Sequence, residues 1–378
     1  MVSFEQALSS YQHFFNLPSF LLEDAYKQQK KWAIPGYIPK KIVKREQLEE
    51  AVEKYHQHPD WFCRHNKVDE TYWNILMPVS KRMMKTKQPY HSKICEKHIQ
   101  FLCTAFPFVQ KKVIGYSRLN NPIYELKIGR GKRTVHFNAS FHANEWITSA
   151  LLMNAVKEYV FQLIDYEQWK EKNMRVLYEE IVVSIVPMVN PDGVDLVIKG
   201  LPAAGPFQSY VSYVNNGVDT FSHWKANICG VDLNNQYPSC WEKEQYRKPK
   251  HPAPRDFPGY SPLSEPESIA MAKLVEQEQV DRLVAFHSQG EEFYYGYLGH
   301  EPEESTRIAA EIERASGYKA VKTIDSYAGF RDWFIHHYRR PGFTIEVGRG
   351  ENPLPLDDFD KMAAETFKIF LASLGLFS

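Results

Sequence analysis

The stretch Thr134-Val135-His136-Phe137-Asn138-Ala139-Ser140-Phe141-His142-Ala143-Asn144-Glu145-Trp146-Ile147 carries the decisive pattern of this chain. Residues 134 to 141 alternate, with Val135, Phe137, Ala139 and Phe141 on one face and Thr134, His136, Asn138 and Ser140 on the other. That period of two predicts a strand. After it Trp146, Ile147, Ala150, Leu151, Ala155, Tyr159, Val160 and Leu163 recur at helical spacing, so a helix is expected to start just past His142. A strand running directly into a helix is the unit of α/β sheets, and it leaves His142 and Glu145 at the joint, where open sheets place their sites.

The same alternation of strands and helices extends from about Gln88 and predicts an α/β domain with helices on both faces of a sheet. Ile181-Val182-Val183-Ser184-Ile185-Val186-Pro187-Met188-Val189 reads as a central strand covered on both sides, ended by the turn residues Asn190-Pro191-Asp192-Gly193. Two further strands are expected at Leu283 to Phe286 and at Phe343 to Val347. Ser264-Glu265-Pro266-Glu267 has the form of a capping box opening a helix to about Gln279. The opening residues differ, with short helical patterns broken by Pro35-Gly36-Tyr37-Ile38-Pro39 and by His56-Gln57-His58-Pro59-Asp60. Residues 1–85 are therefore expected to form a small N-terminal module, and residues 86–378 the catalytic domain.

At 378 residues the chain exceeds the size at which single cores stop growing, which agrees with two units. Forty-six basic residues balance forty-six acidic ones, so no global field draws it to nucleic acid or to an anionic membrane. The opening Met1-Val2-Ser3-Phe4-Glu5-Gln6 lacks a basic n-region and an apolar h-region, and no apolar window long enough to span a bilayer follows. A soluble, cytoplasmic chain is expected. The five cysteines show no C-x-x-C spacing, so they read as reduced thiols, although Cys229 and Cys240 are near enough in sequence to bridge.

His142-x-x-Glu145 is a candidate metal pair, but H-x-x-E also occurs at His300 and Glu303, in a polar loop with no strand before it. A catalytic zinc site takes three N/O protein ligands and leaves a position for water. His287 ends the strand Leu283-Val284-Ala285-Phe286 much as His142 ends its own, and supplies the third ligand. The reaction also needs a carboxylate to take a proton from water and pass it to a leaving amine. Glu346 in Phe343-Thr344-Ile345-Glu346-Val347 projects from the polar side of a core-like strand and fits that role.

Phe141-His142-Ala143-Asn144-Glu145-Trp146-Ile147, Asn190-Pro191-Asp192-Gly193, Gly230-Val231-Asp232-Leu233-Asn234, His287-Ser288 and Phe343-Thr344-Ile345-Glu346 resemble, in this order, the motifs of the zinc carboxypeptidases. The resemblance spans roughly residues 88 to 378. It implies a three-layer α/β/α domain with a mixed, mainly parallel sheet, one zinc on His142, Glu145 and His287, and Glu346 as general base and acid. Trp224-Lys225 is similar to the family's Trp-Arg, so Lys225 would polarise the scissile carbonyl. Tyr327, ahead of Asp332-Trp333, resembles the tyrosine that closes over substrate.

Two departures bear on the substrate. Asn144 stands where carboxypeptidases have Arg in His-x-Arg-Glu, and Asn234 is followed by Asn235 where they have Asp-x-Asn-Arg. The second Arg is the fork that clamps a free C-terminal carboxylate, and an amide cannot replace it. His-Ala-Asn-Glu-Trp and Asp-Leu-Asn-Asn-Gln resemble the branch that cuts the γ-D-glutamyl bond to a diamino acid in bacterial wall peptides. The resemblance implies a peptide substrate, a muropeptide, bound in part by Asn234 and Asn235, with Arg331 meeting the far carboxylate of diaminopimelate. The helical stretch around Tyr11 to Tyr26, followed by Ile34-Pro35-Gly36-Tyr37, resembles the second half of a LysM module without its opening strand. A zinc N-acyl amino acid deacylase and an inactive wall-binding protein are the alternatives; the intact set His142, Glu145, His287 and Glu346 argues against the second.

Overall fold

The computed structural model describes residue 17 and residues 19–29, 35–42, 67–69, 72–165 and 173–376. Helix α1 (Ser19–Gln29) is followed by strands β1 (Tyr37–Ile42), β2 (Lys67–Asp69) and β3 (Tyr72–Pro78), which pair antiparallel in the order β1-β3-β2. Part of the LysM-like stretch, residues 11–16, and the polar run His56 to Asp60 lie outside the described residues. Helix α1 rests on the rest of the chain: Leu21 belongs to the largest core cluster, and Asp24 accepts a hydrogen bond from the Tyr178 hydroxyl at 2.8 Å.

Eight strands make the main sheet: β4 (Gln110–Tyr116), β5 (Pro122–Ile128), β6 (Arg133–Ala139), β7 (Ile181–Val186), β8 (Arg282–His287), β9 (Glu292–Tyr294), β10 (Lys319–Val321) and β11 (Gly342–Glu346). Their order is β10-β9-β11-β8-β6-β7-β5-β4. The central strands β11, β8, β6 and β7 run parallel, while β9 against β11, β5 against β7 and β4 against β5 are antiparallel. The helices are α2 (Ser92–Ala105), α3 (Ile147–Ile164), α4 (Asn173–Glu180), α5 (Pro191–Lys199), α6 (Gln208–Val214), α7 (Trp241–Arg247), α8 (Pro266–Glu278), α9 (Glu304–Ser316), α10 (Phe330–Tyr338) and α11 (Phe359–Leu374).

Alternation along the strands divides the apolar residues between two cores. Val135, Phe137 and Ala139 of β6, with Val284 and Phe286 of β8 and Phe343 and Ile345 of β11, pack with α2, α3, α9 and α11. Leu283, Ala285 and Val186 face the other way, onto α8 and α10. Helices thus cover both faces of a mixed sheet in three layers, the expected α/β/α architecture. Because the second face is also covered, Thr134, His136, Asn138 and Ser140 are buried. Burial pushes His136 down to about 3, so it is neutral, with its Nδ1 2.9 Å from Ser184 Oγ; the Ser184 hydroxyl donates to Glu125 at 2.7 Å.

Three local expectations are revised. Strand β7 stops at Val186, and Val189 and Asn190 instead give their amides to the carbonyls of Ala139 and Ser140. Asn190-Pro191-Asp192-Gly193 is the start of α5: the Asn190 side chain accepts from Gly193 N at 3.0 Å, and Pro191 sits in the first turn. The same residues serve turns and helix starts, which is why the pattern read as a turn. The capping box does not form, because Glu265 takes the N-cap position while the Ser264 hydroxyl is drawn to Gln236 Oε1 at 3.1 Å.

Among the described residues, no helix is long and apolar enough to cross a membrane. Cys95, Cys103, Cys229 and Cys240 are free thiols; Cys63 lies outside the described residues.

Candidate metal centre

Parallel strands end on a common edge, and here that edge gathers the expected residues. His287 is the last residue of β8, Glu346 is the last of β11, and the two are register partners. His142 follows β6 and opens a short 3₁₀ turn, Ala143–Glu145, that carries Glu145 back over the strand end. A helix running straight on from His142 would not do this; α3 begins only at Ile147.

The ligand atoms converge. His142 Nδ1 lies 2.8 Å from Glu145 Oε1, His287 Nδ1 lies 3.0 Å from Glu145 Oε2, and the two Nδ1 atoms are 3.2 Å apart. Among the described residues this is the only group of histidine, cysteine and carboxylate side chains that could hold a metal ion. All three are buried, and two imidazole nitrogens and a carboxylate aimed at one point form the N/O donor set that zinc takes in catalytic sites. The residues present therefore fit the ion. The second H-x-x-E pair does not contribute: His300 stacks on His336 with ring centroids 5.0 Å apart, and Glu303 immediately precedes α9.

Asp232 orients the site. Its Oδ1 lies 3.2 Å from His142 Nε2 and accepts from Asn234 N at 3.0 Å, so the ring nitrogen that faces away from the ligand cluster is held by a carboxylate. Burial alone would raise the Asp232 carboxyl and lower His142, yet their attraction wins: Asp232 falls below the usual carboxylate range, and Glu145 and Asp232 raise His142 to about 9. Burial lowers His287. Burial, then the Glu145 charge, pushes the Glu346 carboxyl up to about 8 against the pull of Lys225 and His142.

Backbone hydrogen bonds bring Lys225 here. Ala143 N donates to Lys225 O at 2.9 Å and Asn144 N to Trp224 O at 3.1 Å, lacing the turn that carries Glu145 to the loop that carries Lys225. Trp224 is fully buried and donates from Nε1 to Ala226 O, anchoring that loop. Lys225 Nζ consequently sits 3.5 Å from Glu145 Oε1. Asn190 ties the same pieces from below, donating to both Phe141 O and Ala226 O. A Cβ on Gly193 would come 2.7 Å from Ala226 O, so this close approach requires glycine.

A cleft of about 390 Å³ opens over Glu346 and is lined by Lys225, Asn144, His223, Arg255 and Tyr294 among others. The other expected residues take different places. Asn234 turns its Oδ1 to Phe330 N at 3.1 Å, and Asn235 is half-buried in the turn after Asp232. Tyr327 stacks between two cations, its ring centroid 5.0 Å from the Arg247 guanidinium and 5.3 Å from Lys243 Nζ. Arg331 is 4 % exposed; its guanidinium bonds Asp332 Oδ1 and lies 5.9 Å from the Tyr294 ring centroid. It forms no part of the cleft lining. Asp232, Tyr294 and Arg255 escaped the residue-by-residue assignment. Asp232 lay inside a quoted motif, but no sequence signal marks the other two.

These features define a metal-dependent hydrolase centre at the strand ends of an α/β sheet. The chain belongs to the zinc carboxypeptidase family, whose model matches residues 95–369, and is a metallopeptidase. It is 48% identical to the uncharacterized protein YqgT of Bacillus subtilis (strain 168) over 79% of this chain and 80% of that one. It is 45% identical to gamma-D-glutamyl-L-diamino acid endopeptidase 1 of Lysinibacillus sphaericus, over 78% of this chain and 74% of the relative. Its fold is shared with the crystal structure of thrombin activatable fibrinolysis inhibitor, at TM-score 0.62 and 18% identity, covering 88% of this chain and 85% of that one.

Proposed function

We propose that this protein hydrolyses the amide bond between a γ-D-glutamyl residue and a diamino acid, meso-diaminopimelate or a close relative, in peptides derived from bacterial cell wall. The observation that carries this reading is an intact hydrolytic set combined with a missing clamp. His142, Glu145, His287 and Glu346 meet at one edge, while Asn235 stands where a guanidinium would grip a C-terminal carboxylate. The similarity to the Lysinibacillus sphaericus endopeptidase supports the choice of bond.

In this reading His142, Glu145 and His287 hold one zinc per chain. When bound, zinc supplies Lewis acidity that makes water nucleophilic near neutral pH. Glu346 receives the proton of the attacking water at its carboxylate and hands it to the departing amine. Lys225, a point charge rather than a fork, steadies the negative charge that develops on the carbonyl oxygen. Asn234 and Asn235 shape the substrate side of the turn after Asp232, and Tyr327 closes over substrate by leaving its resting place beside Arg247.

Residues 1–85 are proposed as a small, LysM-like N-terminal module and residues 86–378 as the catalytic domain. The free thiols and the balanced charge support action in the cytoplasm on wall-derived fragments, without nucleic acid or membrane as partner. The test is mass spectrometry of products from defined wall tripeptides and tetrapeptides, with and without added zinc. Zinc-dependent cleavage after the γ-D-glutamyl residue is expected. Rapid loss of a C-terminal residue from ordinary L-peptides, with the γ-bond untouched, would overturn the reading.

A further inference from the structure

We propose that Arg255 is the receptor for the free α-carboxylate of the γ-linked glutamyl residue, and so the residue by which the cleft tells a γ-linkage from an α-linkage. This rests on the function proposed above. A glutamyl residue joined through its side-chain carboxyl keeps its α-carboxylate, a short carbon chain from the carbonyl that is attacked. An α-linked residue has spent that group on the peptide bond. A site for the γ-bond therefore needs a cation beside the one that serves the scissile carbonyl, with donors left over for an anion.

The cleft offers lysine and arginine side chains only at Lys225 and Arg255. Lys225 is engaged with Glu145 and serves the carbonyl. Arg331, the cation the sequence pointed to, is buried against Asp332. Arg255 remains, its side chain half exposed. Its Nε donates to Asp256 Oδ2 at 3.0 Å, and its terminal nitrogens have no acceptor among the described residues. Asp256 is itself shared with Lys248 at 3.5 Å, and Lys248 also lies 3.7 Å from Glu244. The open end of a guanidinium is a two-pronged donor matched to a carboxylate.

Arg255 is also held in place. Pro254 O accepts from both Lys225 N and Ala226 N, at 2.8 and 3.0 Å, so Arg255 follows a carbonyl seated on the Lys225 backbone. Ala253 N donates to Gly230 O at 3.0 Å and Asp232 N to Phe257 O at 2.8 Å. The segment is thus laced on both sides to the loop that carries Lys225 and Asp232. A carboxylate bound by Arg255 would sit at a fixed offset from the polarised carbonyl, as the γ-glutamyl skeleton requires.

The experiment uses two γ-D-glutamyl diamino acid peptides that differ only in the α-carboxyl, free in one and converted to the carboxamide in the other. For the zinc-loaded protein, kcat/KM is measured on both with wild type, Arg255→Ala and Arg255→Lys. Equilibrium binding of both is measured in the slow Glu346→Gln background, with and without Arg255→Ala. A charge-assisted hydrogen bond of ordinary strength predicts that wild type prefers the free acid by about ten- to a hundredfold. Arg255→Ala should erase that preference by weakening the free acid alone, mainly in KM, and Arg255→Lys should restore part of it. Melting temperature and zinc content should not change. Equal losses on both peptides, or a preference that survives Arg255→Ala, would overturn the assignment. If wild type cuts neither peptide while Arg255-dependent binding of the acid persists, the proposed reaction fails and the receptor stands. If both are cut without regard to Arg255, the receptor fails and the reaction stands. Absence of both cleavage and discrimination removes both.

Discussion

Replacing Asp232 probes a contact that holds His142 from the side of its ring facing away from Glu145 and His287. In the structure Asp232 Oδ1 serves two donors, Asn234 N at 3.0 Å and His142 Nε2 at 3.2 Å, and both His142 and Asp232 are buried. Asp232→Ala leaves the His142 ring N–H without an acceptor, which costs about 1–3 kcal/mol. That equals roughly a ten- to hundredfold loss in zinc affinity, the range found when such outer carboxylates are removed. Asp232→Asn separates geometry from charge, because an amide oxygen can still accept from both donors but brings no negative charge to the imidazole. It should lose less affinity than Asp232→Ala. Competition for zinc against a chromogenic chelator at neutral pH measures both, with melting curves of the metal-free proteins to confirm that each folds. An Asp232→Ala protein that binds zinc within about twofold of wild type would show that Glu145 and the turn hold His142 unaided.

His142→Ala and His287→Ala should each lose stoichiometric zinc by elemental analysis, since each deletes one of three converging ligands; full occupancy in both would move the metal elsewhere. Glu346→Gln should keep zinc and fold but lose about 10² to 10⁴ in kcat/KM, and a loss under tenfold would assign the base to another group. Glu267 has its carboxyl raised from 4.5 to about 8, by burial first and then by Asp192 and Glu265. Because the folded value lies above the unfolded one, its folded state favours the proton, and stability is lost as pH rises from about 4.5 to about 8, by at most about 5 kcal/mol. Glu267→Gln should therefore gain on wild type in urea melts toward pH 9, and parallel curves at pH 5 and pH 9 would contradict this. Arg331→Ala strands the buried Asp332 carboxylate and should cost about 3–5 kcal/mol in stability while affecting diaminopimelate and lysine peptides equally; a selective loss on diaminopimelate would return Arg331 to substrate recognition.

That His142, Glu145, His287 and Glu346 come together was readable before folding because of where they sit. Glu346 ends an alternating strand, His287 ends an unbroken apolar one and His142 follows the alternating β6, and parallel strands must deliver their ends to one edge. Glu145 followed from its spacing to His142. The three-layer architecture was equally accessible, since apolar residues on both sides of β7 and β8 require cover on both faces. The start of α5 is ambiguous in the sequence because Asn and Pro serve turns and helix N-termini alike.

The cleft walls are another matter. Arg331 and Arg255 are both arginines beside an aspartate, and nothing local tells that the first is sealed against Asp332 while the second opens onto the cleft. Tyr294, which lines the cleft, and Tyr327, which rests beside Arg247, are likewise indistinguishable as letters. Their positions follow from the paths of long loops. Those paths are set by bonds between residues far apart in the chain: Asn190 to Phe141 O and Ala226 O, Asn227 to Glu265 at 2.7 Å, Pro254 O to the amides of Lys225 and Ala226. Periodicity records which face of an element meets the core, because burial repeats with every turn or pleat. Loops have no such repeat, so the side chains they present to a substrate come into register only when the whole chain has folded around them.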